Sequence, residues 1–148
     1  GAHADGALCW LCPAGYLQAV IAPNVTAGAA TGGRNAPPLI AELPCALTTD
    51  RDAVHAMAAK ELAVYPHMPF YRGIFEAAGI EVTGRKWNDA MVDASVLYGN
   101  EDGLAAKIRA FFDAGADEVV LSPFGVGDDP AASQAECIRV LSELVGSE

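Results

Sequence analysis

Basic residues are scarce in this chain. Nine Lys and Arg stand against nineteen Asp and Glu, giving a formal charge of −10 and a pI near 4.5. Such a surface repels phosphate backbones and anionic membranes, so neither nucleic acid nor a membrane is expected as a partner. Long apolar runs are missing too. None approaches the ~20 residues needed to span a bilayer, and no charged segment leads into a signal-like core, so a cytoplasmic protein is expected. Cysteine is sparse, and Cys9, Cys12, Cys45 and Cys137 all sit in apolar surroundings. That setting argues against a secreted disulfide framework and for small buried hydrophobes, which leaves the Asn24-Val25-Thr26 sequon without meaning. The three histidines, His3, His55 and His67, have neither the companions of a catalytic triad nor the spacing of a metal site.

What is abundant is apolar surface. Hydrophobic residues make up 52% of the 148, with a mean hydropathy of +0.23, which places the chain among folded domains of ordinary size. Much of the excess is Ala, suited to closely packed helices. The remainder suggests an interface with sequence outside this stretch.

The order of elements is read from punctuation and periodicity. Ala7-Leu8-Cys9-Trp10-Leu11-Cys12, bounded by Asp5-Gly6 and Pro13, has the continuous apolar pattern of a strand buried on both faces. Pro13 opens a helix carrying Tyr16, Leu17, Val20 and Ile21, and Pro23 is expected to kink or end it. Leu39–Thr48 is the second strand, with Pro44 marking a bulge or irregular entry. Thr49 and Asp52 resemble a capping box ahead of a helix bearing Val54, Met57, Ala58 and Leu62. Residues 65–98 read as a helical elaboration broken by Pro66 and Pro69, with a helix over Trp87–Leu97 that ends at Tyr98-Gly99-Asn100. Asn100 caps a helix with Leu104, Ile108 and Phe111 on its inner face, and Asp117–Ser122 is the third strand. Asp128 or Asp129 caps a final helix. This alternation implies right-handed parallel crossovers, but three strands are well under half of a closed (β/α)8 barrel of roughly 250 residues. Opening as it does near a buried strand, the chain reads as a portion of such a fold.

Few residues invite a chemical reading. The Cys9-x-x-Cys12 spacing could mark a redox dithiol or half a zinc site. On a strand, however, the two side chains point to opposite faces, and no second ligand pair exists, so structural thiols are favoured. Gly125-Val126-Gly127 before a helix could cradle a phosphate, yet Asp128 and Asp129 stand where the anion would sit. His67, between Tyr65 and Tyr71, could belong to a pocket or to packing. Trp10 and Cys12 fall at the C-terminal end of the first strand, where α/β folds place ligands, and Trp10 reads equally as the wall of a planar cofactor or a core indole.

The ordered set Ala4-Asp5-Gly6 entering a strand, LPCALTTDRDAV, YPHMPFYRGIFEAAGI and LYGNEDGLAAKIRAFFDAGADEVVLSP resembles the C-terminal portion of the luciferase-like oxidoreductases. That resemblance implies a single partial-barrel domain over 1–148 holding strands six to eight of a (β/α)8 barrel, completed by a missing N-terminal half or a homo-oligomeric partner. It implies coenzyme F-420, with FMN as the alternative, and hydride transfer to or from a small-molecule substrate, or monooxygenation. Carried over residue by residue, Asp5 and Gly6 match the turn and Trp10 and Cys12 the strand end facing the cofactor. No acid, base or nucleophile is matched, so catalysis by these residues alone is not expected.

Overall fold

The structure, a computed structural model, describes residues 1–145. Four parallel strands form one sheet: β1 (Ala7–Trp10), β2 (Leu39–Leu47), β3 (Leu97–Gly99) and β4 (Glu118–Pro123). β2 is the hub. It pairs with β1 over Leu39–Glu42, with β4 over Ile40–Cys45 and with β3 over Cys45–Leu47. Since β1 and β4 share partners at 40–42, and β3 and β4 share Cys45, β4 holds one edge of β2 while β1 and then β3 occupy the other.

That division explains Pro44, which sits inside a continuous strand and not at the bulge expected for it. Glu42 bonds through its carbonyl to Leu11 N–H, and Cys45 through its carbonyl to Phe124 N–H. Backbone groups alternate along a strand, so Pro44 faces the edge where pairing with β1 has ended at Glu42 and pairing with β3 has yet to begin. Its missing N–H removes no ladder bond. At the other end, Asp117 clips the sheet: its carboxylate accepts from Leu39 N–H at 2.8 Å and its own N–H reaches Leu39 O at 2.8 Å.

The helices are α1 (Ala14–Tyr16), α2 (Ala22–Thr31), α3 (Arg51–Glu61), α4 (Pro69–Ala77), α5 (Asp89–Ser95), α6 (Glu101–Asp113) and α7 (Pro130–Val145). A π-helical turn over Leu17–Ile21 joins α1 to α2. Pro23 does not end this helix. The irregularity lies just before it, in the wider turn that lets Ala22 N–H reach Leu17 O, and Pro23 then occupies the first turn of α2, where no N–H is required. The N-cap of α3 is Asp50, whose carboxylate accepts from Ala53 N–H, one residue beyond the expected Thr49. Asn100 caps α6 through Gly103 N–H, and Asp129 caps the start of α7 through Ala132 N–H at 3.0 Å.

A fourth strand corrects the sequence reading. The helix expected to run to Leu97 stops at Ser95, because Val96 adopts an extended backbone (φ −113°, ψ 122°) and Leu97–Gly99 joins β2. The reading of β1 as buried on both faces is also revised, since Leu8 is 59% exposed in this chain. The strand stops at Trp10, and Leu11 takes a left-handed conformation at φ 55°.

Two cores flank the sheet. On the helix side, alternate β2 residues Leu39, Ala41, Leu43 and Cys45 pack with Leu104, Phe111, Cys137 and Leu141 of α6 and α7. A second cluster of Leu11, Ala46, Val54, Met57, Val92 and Val126 lies beyond the C-terminal strand ends, under α3 and α5.

Candidate functional site

All four strands are parallel, so their C-terminal ends gather on one side of the domain. Trp10, Tyr65, Tyr71, Trp87, Tyr98 and Phe124 pack against the second core there. Trp10 and Tyr65 lie 6.3 Å apart between ring centroids, and Tyr65 meets Tyr71 edge-on at 4.7 Å. Trp87 is fixed by donating from Nε1 to Leu62 O at 2.8 Å. Trp10 is not: its Nε1 is buried and has no partner among the described residues. A buried donor left unpaired costs about 1–3 kcal/mol.

The sheet face opposite α6 and α7 is built in rows. Register places Leu8, Ile40 and Glu118 in one row, Trp10, Glu42 and Val120 in the next, and Pro44 beside Ser122 in a third. Glu42 is partly buried and accepts from the Ser122 hydroxyl at 3.3 Å. In a closed barrel this is the face that looks toward the axis.

A polar network anchors the helices over the strand ends. Arg51 on α3 bridges Asp89 at 2.9 Å and Asp93 at 2.6 Å, both on α5. The Tyr98 hydroxyl donates to Asp93 at 2.5 Å, and the Lys107 ammonium lies 3.9 Å from the centroid of the Tyr98 ring. Burial raises the Asp93 pKa, but hydrogen bonds from Tyr98 and Arg51 outweigh it and hold the carboxyl below its usual range. Burial lowers Lys107 against the pull of Asp93.

The four residues matched to a cofactor region do not converge. Asp5 and Gly6 precede β1, at the end of the sheet away from the strand termini, and Asp5 pairs with Arg34 on the exposed surface. Trp10 does stand at the strand ends. Cys12 is buried in the helix-side core, behind that surface. His67 is exposed on a shallow depression with Pro69, Arg72 and Glu76, apart from the aromatic cluster. His55 sits at the α3–α5 boundary, 3.7 Å from Asp89. In the loop after β4, Asp129 takes Ala132 N–H at the α7 N-terminus and Val126 N–H bonds the Ser133 hydroxyl, so two of the donors that a phosphate would use there are already engaged. Among the described residues, no three His, Cys, Asp or Glu are placed to hold a metal ion, and no helix is long and apolar enough to cross a membrane.

The left-handed Leu11 also revises the cysteine geometry. It interrupts strand alternation, so Cys9 and Cys12 do not face opposite ways but both reach the helix-side core, where the Cys12 thiol donates to Pro13 O at 3.6 Å. Hydrogen bonding by the neighbouring Cys12 thiol to the charged form lowers Cys9 to about 7, while Cys12 is pushed up by the same interaction and by burial. Cys137 is likewise lowered to about 7 by Cys45, but it is fully enclosed. Alkylation followed by peptide mass mapping should therefore mark Cys9 first, with a rate that climbs through about pH 7. A midpoint in the ordinary thiol range, about 8.5, would contradict this geometry.

Glu42 and Ser122 were not singled out from the sequence. The available signal was a lone carboxylate inside the apolar run LIAELPCAL.

These features define a class: an α/β chain whose parallel strands and flanking helices form the C-terminal part of a (β/α)8 barrel. No known family profile and no curated protein matches the sequence. Solved structures do. The tetrahydromethanopterin reductase of Methanopyrus kandleri, which depends on coenzyme F-420, superposes with a TM-score of 0.66 at 20% identity over 95% of this chain and 44% of its own. A secondary alcohol dehydrogenase that depends on F-420, solved with an F-420–acetone adduct, gives 0.60 at 15% identity over 82% and 38%. The chain thus spans about two fifths of the length of these two enzymes, and the resemblance to the luciferase-like oxidoreductases holds at the level of the fold.

Proposed function

We propose that this chain is the C-terminal portion of an F-420-dependent oxidoreductase acting on a small molecule at the barrel mouth. The observation that carries the reading is the fold likeness over 95% of the chain to an enzyme that uses this cofactor. The residues present suit the flat ring of the cofactor better than its anionic tail. Trp10, with its unpaired buried Nε1, and the neighbouring tyrosines supply an aromatic wall at the strand ends. At the α7 terminus, by contrast, the Asp129 carboxylate takes Ala132 N–H and would meet a phosphate with like charge. When bound, F-420 supplies a two-electron hydride carrier. Here the chain's part is to wall the ring and to shape the substrate side. FMN, which would bring monooxygenation within reach, is the less favoured cofactor because the two enzymes described above depend on F-420.

Leu8 at 59% and Val120 at 40% exposure favour a covering partner for the open sheet face, either the remaining barrel strands or a second copy of the chain. Titration of F-420 followed by the cofactor's own fluorescence tests the main reading: saturable binding is expected, and it should tighten when the remaining barrel strands are supplied. Absence of binding in both settings would leave only the covering-partner reading, as a non-catalytic interaction module.

A further inference from the structure

Among the described residues, Glu42 is a carboxylate without a counter-ion. It stands at the middle of the central strand, with apolar Leu8, Trp10, Ile40 and Val120 in its own and the adjoining row. None of the four strands contains Lys, Arg or His. Among the described residues its side chain has one hydrogen-bond partner, the Ser122 hydroxyl on β4, at 3.3 Å. A carboxylate offers about four acceptor positions, so most remain free. Glu42 is partly buried already, and once the open face is covered the cost rises, because an ionised group withdrawn from water needs donors to replace its hydration. The other carboxylate on this face, Glu118, lies at the N-terminal end of β4 and stays exposed, where water serves it.

We infer that Glu42, oriented by Ser122, binds a hydrogen-bond donor, hydroxyl or amine, on a substrate whose apolar body rests against Trp10 and Ile40. The inference rests on the proposed reading that a small molecule binds at the barrel mouth beside Trp10, the register partner of Glu42. The apolar rows set the body of such a ligand, and the single acceptor sets its orientation. A ligand bearing a carboxylate in that position would meet like charge.

Three probes that share one ring separate these features: cyclohexylamine, cyclohexanol and cyclohexanecarboxylate. The reporter is the indole N–H of Trp10 in a nitrogen-labelled sample, with Trp87, bonded to Leu62, as the internal control. Amine and alcohol should shift the Trp10 signal and leave Trp87 in place, while the carboxylate shifts neither. Glu42→Gln should weaken the amine by about tenfold or more, as expected for a charge-assisted bond, and Ser122→Ala should weaken it less. If Glu42→Gln does not fold, Glu42→Asp withdraws the carboxylate by one methylene and should weaken the amine in the same direction. Equal binding of all three probes, or unchanged amine affinity in the Glu42 variants, overturns the inference. F-420 titration of the same samples keeps the two proposals apart: probe recognition without F-420 binding removes the cofactor reading alone, and the reverse removes the role of Glu42 alone.

Discussion

Gly125→Ala is expected to destabilise the protein by about 3 kcal/mol, at the upper end of what overpacking costs, with loss of α7 before the rest of the fold. Gly125 lies in the loop that turns from β4 back to the last helix, and a Cβ built there would overlap the carbonyl of Pro130. The obstacle is backbone, so no rotamer change can relieve it. Pro130 is itself fixed, because it opens α7 beside the Asp129 cap, and its ring holds φ near −65°. The loop or the helix must therefore move. Moving the helix draws Cys137, Val140 and Leu141 out of the buried core. Urea unfolding followed by circular dichroism measures the effect, and Gly127→Ala is the informative control. Gly127 has φ 77° but open space around it, so its substitution carries only left-handed strain of about 1–2 kcal/mol. If Gly125→Ala proved as mild as Gly127→Ala, the close approach would not exist.

Leu43→Ala should cost a similar amount, about 3 kcal/mol, for a different reason. Leu43 is fully buried at the centre of β2, the strand to which every other strand is paired, and it packs in the core shared with α6 and α7. Truncation removes transfer energy and leaves a cavity that cannot collapse, since its walls are the sheet on one side and helices on the other. The volume-conserving Leu43→Ile should cost less than about 1.5 kcal/mol. A Leu43→Ala variant as stable as the parent would mean that the helix layer is loosely seated. Domains of this kind hold only about 5–15 kcal/mol in reserve, so either truncation or overpacking consumes a large share.

The sequence disclosed the alternation of strands and helices because each long element carries its own period and cap. The Asn100 cap of α6, the Leu104 and Phe111 stripe and the strand entered at Glu118 are local features, and all are found where local rules put them. The departures have non-local causes. Val96 continues the apolar stripe of α5, and only the free edge of β2 beyond Glu42 draws Leu97–Gly99 into the sheet. Leu11 lies in an unbroken apolar run, and nothing in that run announces a left-handed residue. The site divides in the same way. The position of Trp10 at a strand end was legible, because the apolar run ahead of Pro13 marks the strand. Glu42 was not, because its significance lies in the basic residues absent from three other strands and in a hydroxyl 80 positions away. Asp5 and Gly6 show that a sequence resemblance can match a turn at the end of the sheet remote from Trp10.

The dependence of every pairing on β2 also has a temporal side. Its contact with β4 joins residues 78 positions apart, as in the clip between Leu39 and Asp117, and α3, α4, α5 and α6 are all synthesised in the interval. Through that stretch of translation one edge of the hub strand has no partner, and loop-closure entropy must be met before the last ladder can form. Only the pairing of β4 closes that edge, so the time taken to make and dock the chain up to Pro123 determines how long it is open to other chains.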